Sequence, residues 1–431
     1  MIVTPVQKEP TRAPVGFASF SIGPALRRGI EAMGFTEPRP IQAAAIPEAL
    51  QGRDILGLAQ TGTGKTVAFG LPILERLMQR KGPGPRALII APTRELAIQI
   101  DEEIRRVGAF SGLTSMTIFG GVGMNPQVQA LRRGVDIVVA CPGRLLDHLG
   151  QGNLRLDKIE VLVLDEADHL FDMGFLPDVR RILAACPAKR QNLMFSATMP
   201  QEIRRLAAEV LKDPLVLELG SNAPASTIEH GIYPVPEGLK LDLLSHILDR
   251  REGQSAIVFT RTKHRAKRLA LRLSESGLNA VALQGNMSQN KREEAMQGFR
   301  KGRYDVLVAT DIAARGIDVE QVGLVINFDL PDTPDAYTHR VGRTGRAERE
   351  GTAHSFVSGE DMPTVRAIER KMGAPIMRRH VEGLTDEREM ERGGGDAAPS
   401  GGRRPPSGGY GGGGGRGRGG GGGGYGGRGR R

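Results

Sequence analysis

The sequence predicts an α/β protein: two tandem doubly wound parallel-sheet domains and a disordered Gly/Arg-rich C-terminal tail. Three observations predict it. Short runs of Val, Ile, Leu and Ala without polar alternation recur between residues 54 and 327, and such runs fit strands buried on both faces, as in a parallel sheet. Stretches with helical spacing separate these runs, which is the alternation of an open α/β sheet. The chain has 431 residues, enough for two cores.

In chain order, residues 1–16 carry prolines without apolar periodicity and read as a flexible lead. Leu26, Ile30 and Met33 mark a helix that Gly34 stops, and Ile41–Leu50 forms another after the turn at Pro38 and Pro40. That turn holds G-F-T-E-P-R-P-I-Q, ending at Gln42. A Gln amide can pair with the N6/N7 edge of adenine, and Phe17 upstream can cover an adenine face; a helix cap and a core Phe read equally from the same residues. The strand Asp54–Leu58 runs into A-Q-T-G-T-G-K-T at 59–66 and then a helix through Met78. Strand, Gly-rich loop and helix are the context of a phosphate-binding P-loop, whose backbone N–H groups face the anion. Lys65 is expected at the β/γ-phosphates and Thr66 on Mg²⁺. Ala59 stands where the general pattern has its first Gly.

Further strands end in P-T-R-E-L at 92–96, in Gly120-Gly121, and in C-P-G-R at 141–144. Each alone is a βα turn; together they suit N–H and Arg contacts to the phosphates of a polymer. Val161–Asp168 reads V-L-V-L-D-E-A-D. Carboxylates at the carboxyl end of a buried strand lie where open α/β sheets bind ligands, and Mg²⁺ is the natural candidate cation among them; an acidic helix N-terminus favoured by the helix dipole reads from the same residues. The strand Leu193–Phe195 leads into S-A-T at 196–198, whose hydroxyls are expected to bond the carboxylates of the neighbouring strand. Residues 220–230 read as a linker.

A second alternating set follows: a strand at Ala256–Thr260, a basic helix over 263–276, and strands at Val281–Leu283, Val306–Ala309 and Leu324–Asn327. It contains no P-loop. Arg340, Arg343 and Arg346 are interleaved with Gly, a solvated basic face or a source of an arginine finger for a nucleotide held by the first domain. From Gly393 onward, 22 of 39 residues are Gly, with seven Arg and one Asp. Such a segment buries no apolar surface and stays disordered. Arg-Gly repeats with sparse aromatics suit sequence-tolerant binding of single-stranded nucleic acid.

Charge and cysteine content narrow the classes. The net charge is +10, but the tail supplies +6 of it, so nucleic-acid binding by the folded part must rest on specific residues. Cys141 and Cys186 form no CxxC pair and no Cys/His cluster, so neither a disulfide framework nor a zinc site is expected. The first residues lack the apolar core of a signal peptide and no run approaches 18 apolar residues, so a cytoplasmic protein without a membrane partner is expected.

Taken together, these motifs, with V-F-T-R-T-K at 258–263, Q-G-N-M-S-Q-N-K-R at 284–292, A-T-D-I-A-A-R-G-I-D at 309–318 and H-R-V-G-R-T-G-R at 339–346, resemble those of the DEAD-box ATP-dependent RNA helicases of superfamily 2, and within them the bacterial RhlE-like group. The resemblance covers roughly residues 17–380. It implies RecA-like domains at 17–219 and 231–384, with the tail from 385, and ATP and Mg²⁺ as cofactors. Phe17 and Gln42 would read adenine. Thr61, Gly62, Thr63, Gly64, Lys65 and Thr66 would hold the phosphates and Mg²⁺, Asp165 would hold Mg²⁺ through its water shell, and Glu166 would orient or deprotonate the attacking water. Asp168, Ser196, Thr198 and His339 would couple hydrolysis to closure, Asp318 would touch the ribose, and Arg343 and Arg346 would face the γ-phosphate. Arg94, Gly121, Arg144, Thr262, Gly285 and Thr310 would line the RNA groove. One departure stands out: Cys141 occupies the place of a Thr, and a thiol is the weaker hydrogen-bond donor, so weaker RNA affinity is expected there.

The implied activity is RNA-stimulated ATP hydrolysis driving local, non-processive separation of RNA duplexes or remodelling of RNA–protein complexes, on precursors of ribosomes or in RNA decay. The alternative is an ATP-gated RNA clamp or annealing protein in which unwinding is incidental. A DNA translocase on a similar core fits Gln42 and the full motif set less well.

Overall fold

The computed structural model describes residues 16–59, 62–218, 227–314, 322–345 and 350–388. All of them belong to one compact unit, residues 1–394. The expectations placed on residues 1–15, Thr61, Asp318, Arg346 and the Gly/Arg tail lie outside the described residues.

Fourteen strands are described: β1 Ile55–Leu58, β2 Ala87–Ile90, β3 Ser115–Ile118, β4 Ile137–Ala140, β5 Val161–Leu164, β6 Gln191–Ser196, β7 Leu215–Glu218, β8 Ile228–Pro234, β9 Ser255–Phe259, β10 Ala280–Leu283, β11 Val306–Ala309, β12 Val322–Asn327, β13 Gly351–Val357 and β14 Met377–Arg378. They form two seven-stranded sheets in the orders β3-β4-β2-β5-β6-β1-β7 and β10-β11-β9-β12-β13-β8-β14. All the strand pairings are parallel. The second order is the first with seven added to each strand number, so one topology is used twice. β8 therefore occupies the place that β1 has in the first sheet, and its sequence continues into Val235-Pro236-Glu237-Gly238 rather than a Gly-rich phosphate loop. β8 starts at Ile228, so the second sheet takes in the last three residues of the stretch read as a linker.

The central strands β2, β4, β5, β9 and β11 are largely apolar because helices cover both faces. Along β5, Val161 and Val163 enter one core cluster and Leu162 and Leu164 the other. This is the period-two alternation of a strand with both faces buried. The second sheet divides its core in the same way, with Val258 on one side and Ile257 on the other.

Parallel strands bring all their carboxyl ends to one edge of the sheet, and the strand order then decides which loops are neighbours. In the first sheet β1, β6 and β5 are adjacent, so the P-loop, the S-A-T segment and the D-E-A-D segment share one side of that edge. β2, β4 and β3 are adjacent on the other side, which gathers Arg94, Arg144 and Gly121. In the second sheet β9, β11 and β10 repeat that grouping and gather Thr262, Thr310 and Gly285.

Candidate nucleotide cleft and RNA-facing groove

The helix Lys65–Met78 starts at Gly64, whose φ is +88°, and Gly62 is at +84°. This left-handed backbone, which side chains disfavour, turns the loop over the helix N-terminus. The turn before the helix Pro40–Leu50 clamps the loop from outside. Gln42 Nε2 donates to the Gly64 carbonyl (3.1 Å), its Oε1 accepts from the Arg39 N–H (2.9 Å), and the Arg39 guanidinium donates to the Gly62 carbonyl. Gln42 is thus the helix cap and the partner of the phosphate loop at once, with its amide oxygen already engaged. Phe17 is buried, with its ring stacked on Phe35 and edge-on to Phe20.

Lys65 lies buried at the start of its helix, with Nζ 3.2 Å from the Ala59 carbonyl and 3.6 Å from Asp165 Oδ1. Thr66 follows it, half-buried. Asp165 is 2% exposed. Burial pushes its carboxyl above the usual carboxylate range, and the Lys65 ammonium opposes that push. Among the described residues no cluster of three or more His, Cys, Asp or Glu side chains is arranged to hold a metal. One buried carboxylate beside a phosphate loop still fits Mg²⁺, which takes one or two carboxylates and completes its shell with phosphates and water.

Glu166 caps the short helix Ala167–Asp172 with φ +50°, a left-handed conformation that is uncommon for a non-Gly residue and clusters at functional sites. Its Oε2 is 2.7 Å from His169 Nδ1. Burial works against its ionisation, but the contact with His169, with Lys65 and Arg343 nearby, holds the carboxyl far below the usual range. Asp168 Oδ2 accepts from the Ala197 N–H (3.2 Å), the Thr198 N–H (2.8 Å) and the Thr198 hydroxyl (2.9 Å). The two hydroxyls of S-A-T divide their work differently from the expectation. Thr198 bonds the carboxylate, whereas Ser196 accepts from the Asp168 backbone N–H (3.2 Å) and donates to the Thr198 carbonyl (2.8 Å).

The second domain closes over this edge. His339, on the helix Pro334–Val341, sits 3.1 Å from His169 Nε2 through its Nδ1 and 3.6 Å from Asp168 Oδ2 through its Nε2. Arg343 is 5% exposed, and its Nε donates to the His339 carbonyl (3.1 Å). A cleft is lined by Lys65, Glu166, Asp168, His169, Thr198, His339, Arg343 and Lys371. Arg340 serves the second domain instead. It grips Asp311 through two bonds (2.5 and 2.7 Å), reaches Asn327 Oδ1 and the Asp329 carbonyl, and covers the Phe259 ring. Of the arginines of this segment that are described, Arg340 is therefore a tie within the second domain and Arg343 faces the cleft.

The residues expected to face RNA gather as the strand order dictates. The Arg94 guanidinium lies against Gly121 and donates to Gln289 Oε1 across the domains (3.2 Å). Arg144 donates to the Val122 carbonyl (3.1 Å). Arg292 of the second domain forms a half-buried pair with Glu95 (2.7 Å) and reaches toward the carbonyls of Gln284 and Ala313. This seam carries the Gly285 and Thr310 loops to the Arg94 side of the groove. Gly285 has open space where a Cβ would stand, and Thr262 caps the helix Lys263–Glu275 by accepting from the Arg265 N–H (3.2 Å). Cys141 holds the matching cap position of the helix Pro142–Gly150 but makes no capping bond, and burial raises its thiol to about 12. His169, Gln289, Arg292 and Glu95 are site residues that sequence patterns alone do not single out. Their only signal is position inside or beside D-E-A-D, Q-G-N-M-S-Q-N-K-R and P-T-R-E-L.

A phosphate loop, buried carboxylates and an arginine from a second, topologically identical domain around one cleft define a two-domain P-loop ATPase. Comparison with known proteins makes this specific. Residues 39–206 match the DEAD/DEAH box helicase family and residues 239–348 the helicase conserved C-terminal domain. The chain is similar to the DEAD-box ATP-dependent RNA helicase CshA of Geobacillus kaustophilus, 42% identical over 87% of this chain and 78% of that one. It is also similar to CshA of Listeria monocytogenes, 44% identical over 82% of this chain and 68% of the other. Among solved structures it resembles S. cerevisiae Dbp5 bound to RNA and ADP BeF3, with 32% identity, TM-score 0.75, and 84% of this chain and 95% of that one covered. It also resembles Mss116p bound to ssRNA and AMP-PNP, with 27% identity, TM-score 0.79, and coverage of 88% and 82%. The chain belongs to the DEAD-box RNA helicases, and it is an ATP-dependent RNA helicase that binds RNA. These relatives carry the name of a bacterial group other than the RhlE-like one, so the narrower resemblance finds no support in them. No helix among the described residues is long and apolar enough to cross a membrane.

Proposed function

We propose that the chain separates short RNA duplexes or remodels RNA–protein complexes locally, without processive movement, by closing two RecA-like domains on ATP and RNA together. The observation that carries this reading is the shared cleft: Lys65 and Glu166 from one domain line it with His339 and Arg343 from the other. ATP and RNA would each span both domains, so binding completes the site. Lys65 and the Gly62–Gly64 loop hold the β/γ-phosphates, Glu166 orients or deprotonates the attacking water, and Arg343 stabilises charge on the transferring phosphoryl group. Asp165 and Thr66 would hold Mg²⁺, which supplies charge neutralisation on the phosphates. The Asp168–Thr198–His339 contacts link the state of the nucleotide to closure. Arg94, Arg144, Thr262 and the Gly121, Gly285 and Thr310 loops bind the RNA backbone, which carries no direct base information; preference for RNA rests on the 2′-OH. A cytoplasmic location and ribosomal precursors or decaying RNA as targets fit this sequence-tolerant grip.

Glu166→Gln tests the reading. RNA-stimulated ATP turnover should fall about 10²–10⁴-fold, the scale of a lost general base, while ATP and RNA binding persist. Undiminished turnover would remove Glu166 from its role.

A further inference from the structure

One buried ring in the cleft plays no part in the reaction proposed for Glu166 and Arg343. His169 is 2% exposed. It stands between Glu166 of its own domain, 2.7 Å from Nδ1, and His339 of the other domain, 3.1 Å from Nε2. We propose that His169 is the positioning residue of Glu166: its ring holds the carboxylate in line for the attacking water, and His339 holds the ring, so the base is oriented only when the second domain is docked. The inference rests on the reading of Glu166 as the water-activating group.

Hydrogen-bond chemistry fixes one end of this chain. An ionised carboxylate only accepts, so the proton at the Glu166 contact belongs to His169 Nδ1. The contact between His169 Nε2 and His339 Nδ1 takes one further proton, carried by either ring, and Asp168 Oδ2 lies 3.6 Å beyond His339 Nε2. The anchor matters because Glu166 has rivals for its charge. Lys65 and Arg343 line the same cleft, and both fields act on the Glu166 carboxyl. Released from His169, that carboxylate would swing to an ammonium or guanidinium and leave the line of attack. Its left-handed backbone at φ +50° fixes where the side chain starts but not where its flexible end comes to rest.

The test uses the full chain with saturating ATP and a single-stranded RNA, read as single-turnover hydrolysis beside ATP and RNA affinities. His169→Ala should lower the hydrolysis rate about 10²-fold, the scale of a misplaced catalytic group, with both affinities within about threefold of wild type. His169→Asn places an amide N–H near the position of Nδ1 and should recover most of the rate; His169→Gln reaches instead toward His339 and should not. His339→Ala should lower the rate less than additively with His169→Ala, because the two act through one chain. Wild-type hydrolysis in His169→Ala overturns the proposal, and so does an equal loss in the Ala, Asn and Gln variants accompanied by lost ATP affinity, which is the mark of a packing role. Fully additive losses at positions 169 and 339 overturn the link to docking. Glu166→Gln run in parallel separates the two readings: if that variant is inactive while His169→Ala is not, only the role of His169 fails.

Discussion

Cys141 shows how a single side chain changes a local rule. Thr93 and Thr262 cap the helices after β2 and β9 by accepting from the Leu96 and Arg265 N–H groups. Cys141 opens the helix after β4 with no such bond. A Ser/Thr/Asn/Asp cap is worth about 0.5–2 kcal/mol over a residue that cannot cap. Cys141→Thr should therefore raise the unfolding midpoint by about 2–4 °C for each kcal/mol gained, on the scale of a domain of about 200 residues, and tighten ATP-dependent RNA binding, both measurable on the purified chain. An unchanged midpoint would mean that the hydroxyl does not take up the cap. Glu166 shows the converse, a residue whose identity was readable in D-E-A-D while its left-handed backbone and its His169 partner were not.

At the scale of elements, the loops at the carboxyl ends of the strands carry the function and the strands carry their order. Gly121 joins β3 to the next helix with φ +78°, and a Cβ there would run into the Arg94 guanidinium. Gly121→Ala combines a left-handed penalty of about 1–2 kcal/mol with displacement of Arg94, an arginine proposed to bind the RNA backbone. RNA affinity should fall about tenfold, equivalent to about 1.4 kcal/mol, with ATP affinity unchanged. An RNA titration at fixed salt checks it, and equal losses for both ligands would assign the effect to misfolding instead. The buried strands β2, β4, β5, β9 and β11 were legible because an unbroken apolar run has few other uses. β7, β8, β13 and β14 were not: β7 is only partly buried, β8 and β13 carry His, Ser and Thr among their apolar residues, and β14 has two exposed residues. Pairing with neighbours, not composition, makes them strands.

At the scale of the whole molecule, β8 carries a half-buried histidine and β13 a buried one. Burial lowers both His230 and His354 to about 4 from an ordinary 6.5, with Arg379 adding to the effect at His354. Between those values the unfolded chain binds more protons than the folded one, so stability rises with pH across the window and is lost as pH falls below 6.5. His148 and His339, also lowered chiefly by burial, act in the same sense. The depressed carboxyls of Glu166 and Asp168 add their losses only below the ordinary carboxylate range. The unfolding midpoint should drop between pH 7 and 5, and His354→Asn should flatten the slope; a flat wild-type profile would show these rings to be solvated. Among the described residues, the seam between the domains holds the half-buried Arg292–Glu95 pair and the Arg94–Gln289 bond on one side and the His169–His339 and Asp168–His339 contacts on the other.

The sequence by itself determined the α/β class, the P-loop motif and the carboxylates after β5, because each depends on local chemistry: apolar runs, closely spaced glycines and charge next to a strand end. Only the tertiary structure decided which loops are neighbours, that Arg340 is a tie within its domain while Arg343 faces the cleft, that Gln42 grips the phosphate loop, and that His169 joins Glu166 to the other domain. His169 and His339 are 170 residues apart. No local pattern records such a pair, since strand order and domain docking, which sum over many weak contacts, bring it together.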